Sequence, residues 1–134
     1  MKSMVSKSLW VALIAFSAGA HAESMSGKDV FSKNCAACHM ATGTGIPGAF
    51  PALKGSKFVL GDANAVVSTV LKGRGGMPTF AASLDDDKLS AVVSYVRQSW
   101  GNQASAVTVQ DVKTIRANTN AMKVVKKEQP TNIH

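Results

Sequence analysis

The chain has 134 residues, a net charge of +7, 46% hydrophobic residues and two cysteines. That length suits one domain, the 17% of charged residues is not the composition of a disordered tail, and two cysteines exclude a multi-disulfide scaffold and any four-cysteine zinc or iron–sulfur site. Aromatic residues are only 6%, so a protein-only core would be built mostly from Ala, Val and Leu, and the positive charge admits nucleic acid, anionic lipid or an acidic protein as partner.

In chain order, Lys2 and Lys7 flank the start of a mostly apolar run from Leu9 to Ala18, and Ala20-His21-Ala22 offers small residues where a signal peptidase reads. Residues 1–22 therefore read as a cleaved secretory signal peptide. Ten helical residues reach roughly 15 Å, about half of a hydrocarbon core, so the run is short for a membrane span. Cleavage removes two lysines and no acid, leaving a net charge of +5 and an exported chain in an oxidising compartment.

Three helices follow from pattern and capping. Ser26 caps the first, and Val30, Phe31, Asn34, Cys35 and Cys38 follow at helical spacing, with Gly43 and Gly45 beyond its end. The second runs from Ala63 to Lys72, capped by Asp62 and stopped by Gly73, with Val66, Val67, Val70 and Leu71 as its apolar face. The third starts at Asp85, has Asp86 and Asp87 at the positive end of its dipole, carries Leu89, Val92, Val93, Val96 and Trp100 on one stripe, and ends at Gly101. No stretch alternates long enough for a sheet, so the expected fold is all-α, with three to four short helices and long loops. Residues 26–101 form the compact part. Residues 102–134 are a C-terminal extension, expected to hold a short helix near 108–117, with Val112 and Ile115 on its apolar side, and then a flexible end.

The chemistry sits at Cys35-Ala36-Ala37-Cys38-His39, which is C-x-x-C-H, the attachment pattern for c-type haem. Cysteines at i and i+3 stand on one helix face, where two thiols can each add to a vinyl group of one porphyrin. His39 follows directly and can turn an imidazole nitrogen onto the iron. A thiol–disulfide redox site usually opens the helix of a strand-containing fold, whereas this pair closes a helix. A zinc site lacks a second ligand pair, because His21 leaves with the signal and His134 is terminal. A structural disulfide explains neither His39 nor the helical placement.

The second axial ligand is read as Met77. It lies in Lys72-Gly73-Arg74-Gly75-Gly76-Met77-Pro78, where glycines let the backbone approach a porphyrin and Pro78 biases Met77 toward an extended conformation. A methionine filling a core would sit on an apolar helix stripe. Met40 is too close to His39 to reach the opposite face, Met25 precedes the first helix, and Met122 lies in the polar tail.

These pieces resemble a bacterial class I c-type cytochrome. The matching residues are Gly27-x-x-x-Phe31, Cys35 to His39, Gly43-x-Gly45, Phe50-Pro51-x-Leu53, Gly76-Met77-Pro78 and Val92 to Arg97, in order across residues 26–101. Phe80 and the run from Tyr95 to Asn102 look similar to small cytochromes that serve, or are subunits of, periplasmic dehydrogenases. The resemblance implies the class I cytochrome c fold around one covalently attached haem c with its iron, held by Cys35 and Cys38 and ligated by His39 and Met77. It implies that Gly27 and Phe31 meet the last helix near Tyr95, and that the Pro51 carbonyl faces the free imidazole nitrogen of His39. Phe50, Leu53, Phe58, Val67, Leu71, Phe80 and Val96 are candidates to line the haem pocket, with plain core packing the competing role for each. Trp100 could cap the apolar face or approach a propionate.

The implied function is electron transfer without catalysis: a periplasmic monohaem carrier of single electrons between a dehydrogenase or quinol-oxidising complex and a terminal oxidase or reductase. The alternatives are a dedicated haem subunit of a dehydrogenase complex or a ligand-binding haem sensor. Lys28, Lys33, Lys54, Lys57, Lys72 and Arg74 would surround the haem edge and steer docking to an acidic face of a redox partner. Export argues against nucleic acid, and no stable membrane insertion is expected after cleavage.

Overall fold

The computed structural model describes residues 25–128. The expected signal peptide over 1–22 and the end of the tail, 129–134, lie outside the described residues. Within them the chain forms α1 (Gly27–Asn34), α2 (Ala36–His39), α3 (Lys57–Leu60), α4 (Ala63–Lys72), α5 (Asp86–Gln98) and α6 (Val109–Glu128), with no strand beyond two isolated bridges. The all-α expectation holds.

Each long helix starts at a side-chain cap. Ser26 Oγ accepts from the Asp29 backbone at 3.2 Å, and Asp62 accepts from the Asn64 backbone at 2.9 Å. Asp85 accepts from the Lys88 backbone at 2.8 Å and from the Lys88 ammonium at 2.7 Å. That ammonium holds the Asp85 carboxyl below its ordinary range. Thr108 and Asp111 cap α6 reciprocally: the Asp111 backbone donates to Thr108 Oγ1 at 3.1 Å, and the Thr108 backbone donates to the Asp111 carboxylate at 2.9 Å. The Thr108 bonds lower the Asp111 carboxyl too.

The first helix was expected to run through Cys38. Cys35 breaks it, with φ −122° and ψ −34°, so the cysteine pair and His39 sit on a separate turn, α2. The last core helix stops at Gln98, before the expected Gly101, because Ser99 is extended and Trp100 takes φ +56°. That reversal folds the indole back onto Phe31 and Tyr95, with ring centroids 5.1 and 5.6 Å away. The Trp100 N–H donates to the Ala41 carbonyl at 3.1 Å, so the indole joins the contact between α1 and α5. Gly27 permits that crossing: a Cβ there would meet the Ala91 carbonyl carbon at 2.8 Å and Tyr95 Cβ at 2.7 Å. Phe31, Val67, Leu71 and Leu89 are the heart of the core, and burying each side chain contributes roughly 1.5–3 kcal/mol.

The extension departs from expectation. α6 does not end near residue 117; it runs to Glu128, and its first half docks on α4 and α5 through buried Val112, Ile115 and Thr119. Arg116 pins it, donating to the Asp86 carboxylate at 2.7 Å and to the carbonyls of Ala81 and Leu84 at 2.6 and 2.8 Å. The apolar stripe that forms this contact ends at Thr119, and residues 120–127 expose every side chain.

Candidate functional site

α1, α2, α4 and α5 enclose a cavity of about 500 Å³, joined by shared walls to a second of about 210 Å³. Cys35, His39, Pro51, Arg74 and Met77 line both. The smaller one is also lined by Cys38 and Phe80, so Cys35, Cys38, His39, Pro51, Met77 and Phe80 line one cavity. The larger volume falls in the range of about 300–1,000 Å³ usual for cofactor pockets.

Local structure explains the placement. The short turn of α2, with Cys35 at its N-cap, presents Cys35, Cys38 and His39 within five positions. His39 is buried, and its Nδ1 lies 2.9 Å from the Pro51 carbonyl. A carbonyl only accepts, so Nδ1 carries the proton and Nε2 keeps the lone pair needed for a metal. Burial pushes the unattached Cys35 thiol up to about 11, with the adjacent Cys38 adding to the rise. The two cysteines are not joined to each other by a disulfide.

Met77 is held by a tight turn. The Met77 backbone donates to the Arg74 carbonyl at 2.9 Å, and the Arg74 backbone donates back to the Met77 carbonyl at 3.2 Å. Gly73 stands at φ +74°, and a Cβ there would meet the Met77 carbonyl at 2.5 Å, so the turn requires glycine. The Arg74 guanidinium covers the Phe58 ring, 5.5 Å from its centroid, across the cavity wall.

Of the other expected pocket residues, Phe50, Leu53, Phe58 and Val96 line the cavities. Val67 and Leu71 do not. α4 is covered on two sides: Val66, Thr69 and Val70 face the cavity, while Val67 and Leu71 are fully buried in the protein core. A single apolar stripe gives no sign of which part faces which neighbour. Val59, Val92, Val93 and Ser56 are wall residues missed from the sequence; α3, too short for a periodic signal, supplies the first. Trp100 does not line either cavity.

Two buried polar groups organise the wall from behind. Asn102 donates to the Leu53 and Val96 carbonyls at 3.1 and 2.8 Å and accepts from the Gly55 backbone at 2.8 Å. It ties the loop after Pro51 to the end of α5. Arg97 donates to the carbonyls of Val59, Gly61 and Ser105 at 2.7, 3.0 and 2.8 Å. Among the described residues, no helix is long and apolar enough to cross a membrane, and no cluster of three or more His, Cys, Asp or Glu could hold a metal ion.

A porphyrin with a metal centre fits these residues: an apolar slot, two cysteines on one turn, an imidazole with its second nitrogen engaged, and a thioether in the same cavity. The comparisons with known proteins agree. A family model described as cytochrome c oxidase, cbb3-type, subunit III matches residues 22–96. The chain is 39% identical over 77 residues to cytochrome c6 of Leptolyngbya boryana, covering 56% of this chain and 91% of that protein. It is 33% identical to the cytochrome c subunit of alcohol dehydrogenase (quinone) of Gluconobacter oxydans (strain 621H), over 67% of this chain and 22% of that subunit. It is 32% identical to the gluconate 2-dehydrogenase cytochrome c subunit of Pantoea cypripedii, over 70% of this chain and 24% of that subunit. The chain thus spans less than a quarter of the dehydrogenase subunits it matches. With a family match over more than half its length and nearly the whole of a cytochrome c6 covered, the chain belongs to the cytochrome c family as a small class I c-type cytochrome, whose cofactor is covalently bound haem c with its iron.

Proposed function

We propose that the protein is a periplasmic carrier of single electrons, taking them from a dehydrogenase or quinol-oxidising complex and passing them to a terminal oxidase or reductase. The observation that carries this reading is the convergence of Cys35, Cys38, His39, Pro51, Met77 and Phe80 on one cavity. Cys35 and Cys38 would hold the porphyrin through thioether bonds, His39 and Met77 would supply the nitrogen and sulfur donors to its iron, and Pro51 and Phe80 would form part of the pocket. When bound, haem c supplies a one-electron Fe(III)/Fe(II) couple.

The chain's own residues set what that couple does. With His39 and Met77 both bound to the iron no position would be left for a substrate, and outer-sphere electron transfer would be the available chemistry. The Pro51 carbonyl holds the His39 ring in orientation. Met77 is a soft, neutral donor that raises the reduction potential relative to two histidines. The apolar wall of Val92, Val93 and Val96 disfavours the more highly charged oxidised state and acts in the same direction. Lys28, Lys33, Lys54, Lys57, Lys72 and Arg74 are all exposed, and they suit an acidic docking face on a redox partner. Export rests on the N-terminal pattern of Lys2, Lys7 and the apolar run, and residues 26–101 act as the cytochrome unit.

The test is carbon monoxide added to the reduced holoprotein, alongside a redox titration. A carrier shows no spectral change and a positive midpoint potential. Rapid carbon monoxide binding, or a strongly negative midpoint, overturns the assignment. A second reading, a dedicated haem subunit of a dehydrogenase complex, is favoured by the names of the Gluconobacter and Pantoea relatives. Recovery of the protein from periplasm in a stable complex with a dehydrogenase, rather than as a small free species, selects it.

A further inference from the structure

Among the described residues, Arg97 is the one buried cation that the site chemistry above does not use. Its side chain is within a residue 4% exposed, yet among the described residues no carboxylate lies within ion-pair distance of it. Its partners are three carbonyls, those of Val59, Gly61 and Ser105. By contrast Arg116, also holding two carbonyls, has the Asp86 carboxylate at 2.7 Å. A buried charge without a counter-charge is expensive, and neutral side chains could tie the same carbonyls at lower cost. Arginine cannot escape that cost by losing its proton.

The position of the charge gives it a use. Arg97 follows Val96 and lies one helical turn beyond Val93, and both valines line the larger cavity. One of its carbonyl partners belongs to Val59, which lines the same wall. The guanidinium is therefore fixed directly behind the apolar wall of the pocket, shielded from solvent, with little screening by water or salt in between. Oxidation adds one positive charge inside that pocket, and a fixed cation behind the wall opposes it.

We propose that Arg97 is a potential-setting residue: its buried, uncompensated charge favours Fe(II) over Fe(III) and holds the reduction potential of the bound haem up. It acts through the field across Val59, Val93 and Val96 and does not touch the cofactor. The inference rests on the haem-site reading given above.

The test compares midpoint potentials of the holoproteins carrying R97Q, R97M and R97K with that of the unmodified chain. R97Q and R97M remove the charge, the first keeping hydrogen-bond donors and the second the apolar stem; R97K keeps the charge and loses the fork. The expected result is a several-fold shift of the Fe(II)/Fe(III) ratio toward Fe(III) at a fixed ambient potential in both neutral variants, and a smaller shift in R97K. Thermal stability falls in all three, because each loses carbonyl bonds, so a merely structural role predicts equal shifts, or none, across the set. Equal potentials in R97Q and R97K overturn the proposal, as does a potential unchanged in R97Q and R97M. If one neutral variant fails to mature, the other decides. An unmodified chain that carries no covalent haem fails the underlying site reading; one that carries haem while its neutral variants keep the potential fails this inference alone.

Discussion

Met77 and Cys35 to His39 show how differently single residues reveal themselves. The C-x-x-C-H spacing is a local code, readable because three reactive groups lie within five positions. Met77 is readable by elimination, since the remaining methionines lie too near His39 or in unsuitable segments. Arg97 and Asn102 gave no such signal: their roles come from carbonyls up to 49 positions away in the chain. Met77→Ala should abolish the weak sulfur-to-iron band of the oxidised protein and lower its midpoint potential. Visible spectroscopy and a redox titration check both, and survival of the band would assign the ligand to another residue. Asn102→Ala leaves the Val96 carbonyl without its buried donor and the Gly55 N–H without its acceptor, and should cost roughly 1–3 kcal/mol of stability, read from urea unfolding.

At the scale of elements, capping residues predicted starts well and Gly73 predicted the end of α4 at Lys72, while the ends of α1, α5 and α6 were missed. Ser26 and Asp62 cap as expected, because a cap is a contact within three residues, and Asp85, expected as the first residue of its helix, is the cap. The break at Cys35 and the reversal at Trp100 depend on partners across the fold, so no local pattern announces them. Asp85→Ala should cost about 1 kcal/mol, the usual worth of an N-cap. The Lys88 contacts depress the Asp85 carboxyl, so its contribution is present above the ordinary carboxylate range and is lost as pH falls through that range toward the folded value. A stability profile against pH should therefore flatten at its acid end in the variant. Gly27→Ala forces α1 away from Ala91 and Tyr95, and the overpacking should cost roughly 1–3 kcal/mol, measurable by the shift in the urea midpoint.

For the whole molecule, the question is how a domain of this size stays folded with few aromatics. Short helices cover one another through Val and Leu, and a large slot remains between α1, α4 and α5 for an apolar cofactor. A covalent group in that slot serves as the staple small domains usually need. α6 adds a second brace on the core. Arg116→Ala removes its ion pair and two carbonyl bonds, leaving the Ala81 and Leu84 carbonyls and the Asp86 carboxylate unpartnered. Hydrogen exchange at Val112 and Ile115 should accelerate at least several-fold, while exchange in α1 changes little. The association rate with an acidic redox partner should fall as ionic strength rises, as for any encounter steered by surface lysines.

What the sequence by itself determined is the chemistry and the class: a thiol pair with its histidine, a methionine in a glycine turn, helices by pattern and cap, and no strand. Each of these is written in neighbours a few residues apart, where covalent geometry and hydrogen bonding act directly. What only the tertiary structure decided is which face of α4 meets the cavity, that α3 supplies part of the wall, that α6 runs on to Glu128 and is pinned by Arg116, and that Arg97 is buried without an acid. These depend on which distant segments pack together, and burial and electrostatic compensation exist only once they have packed.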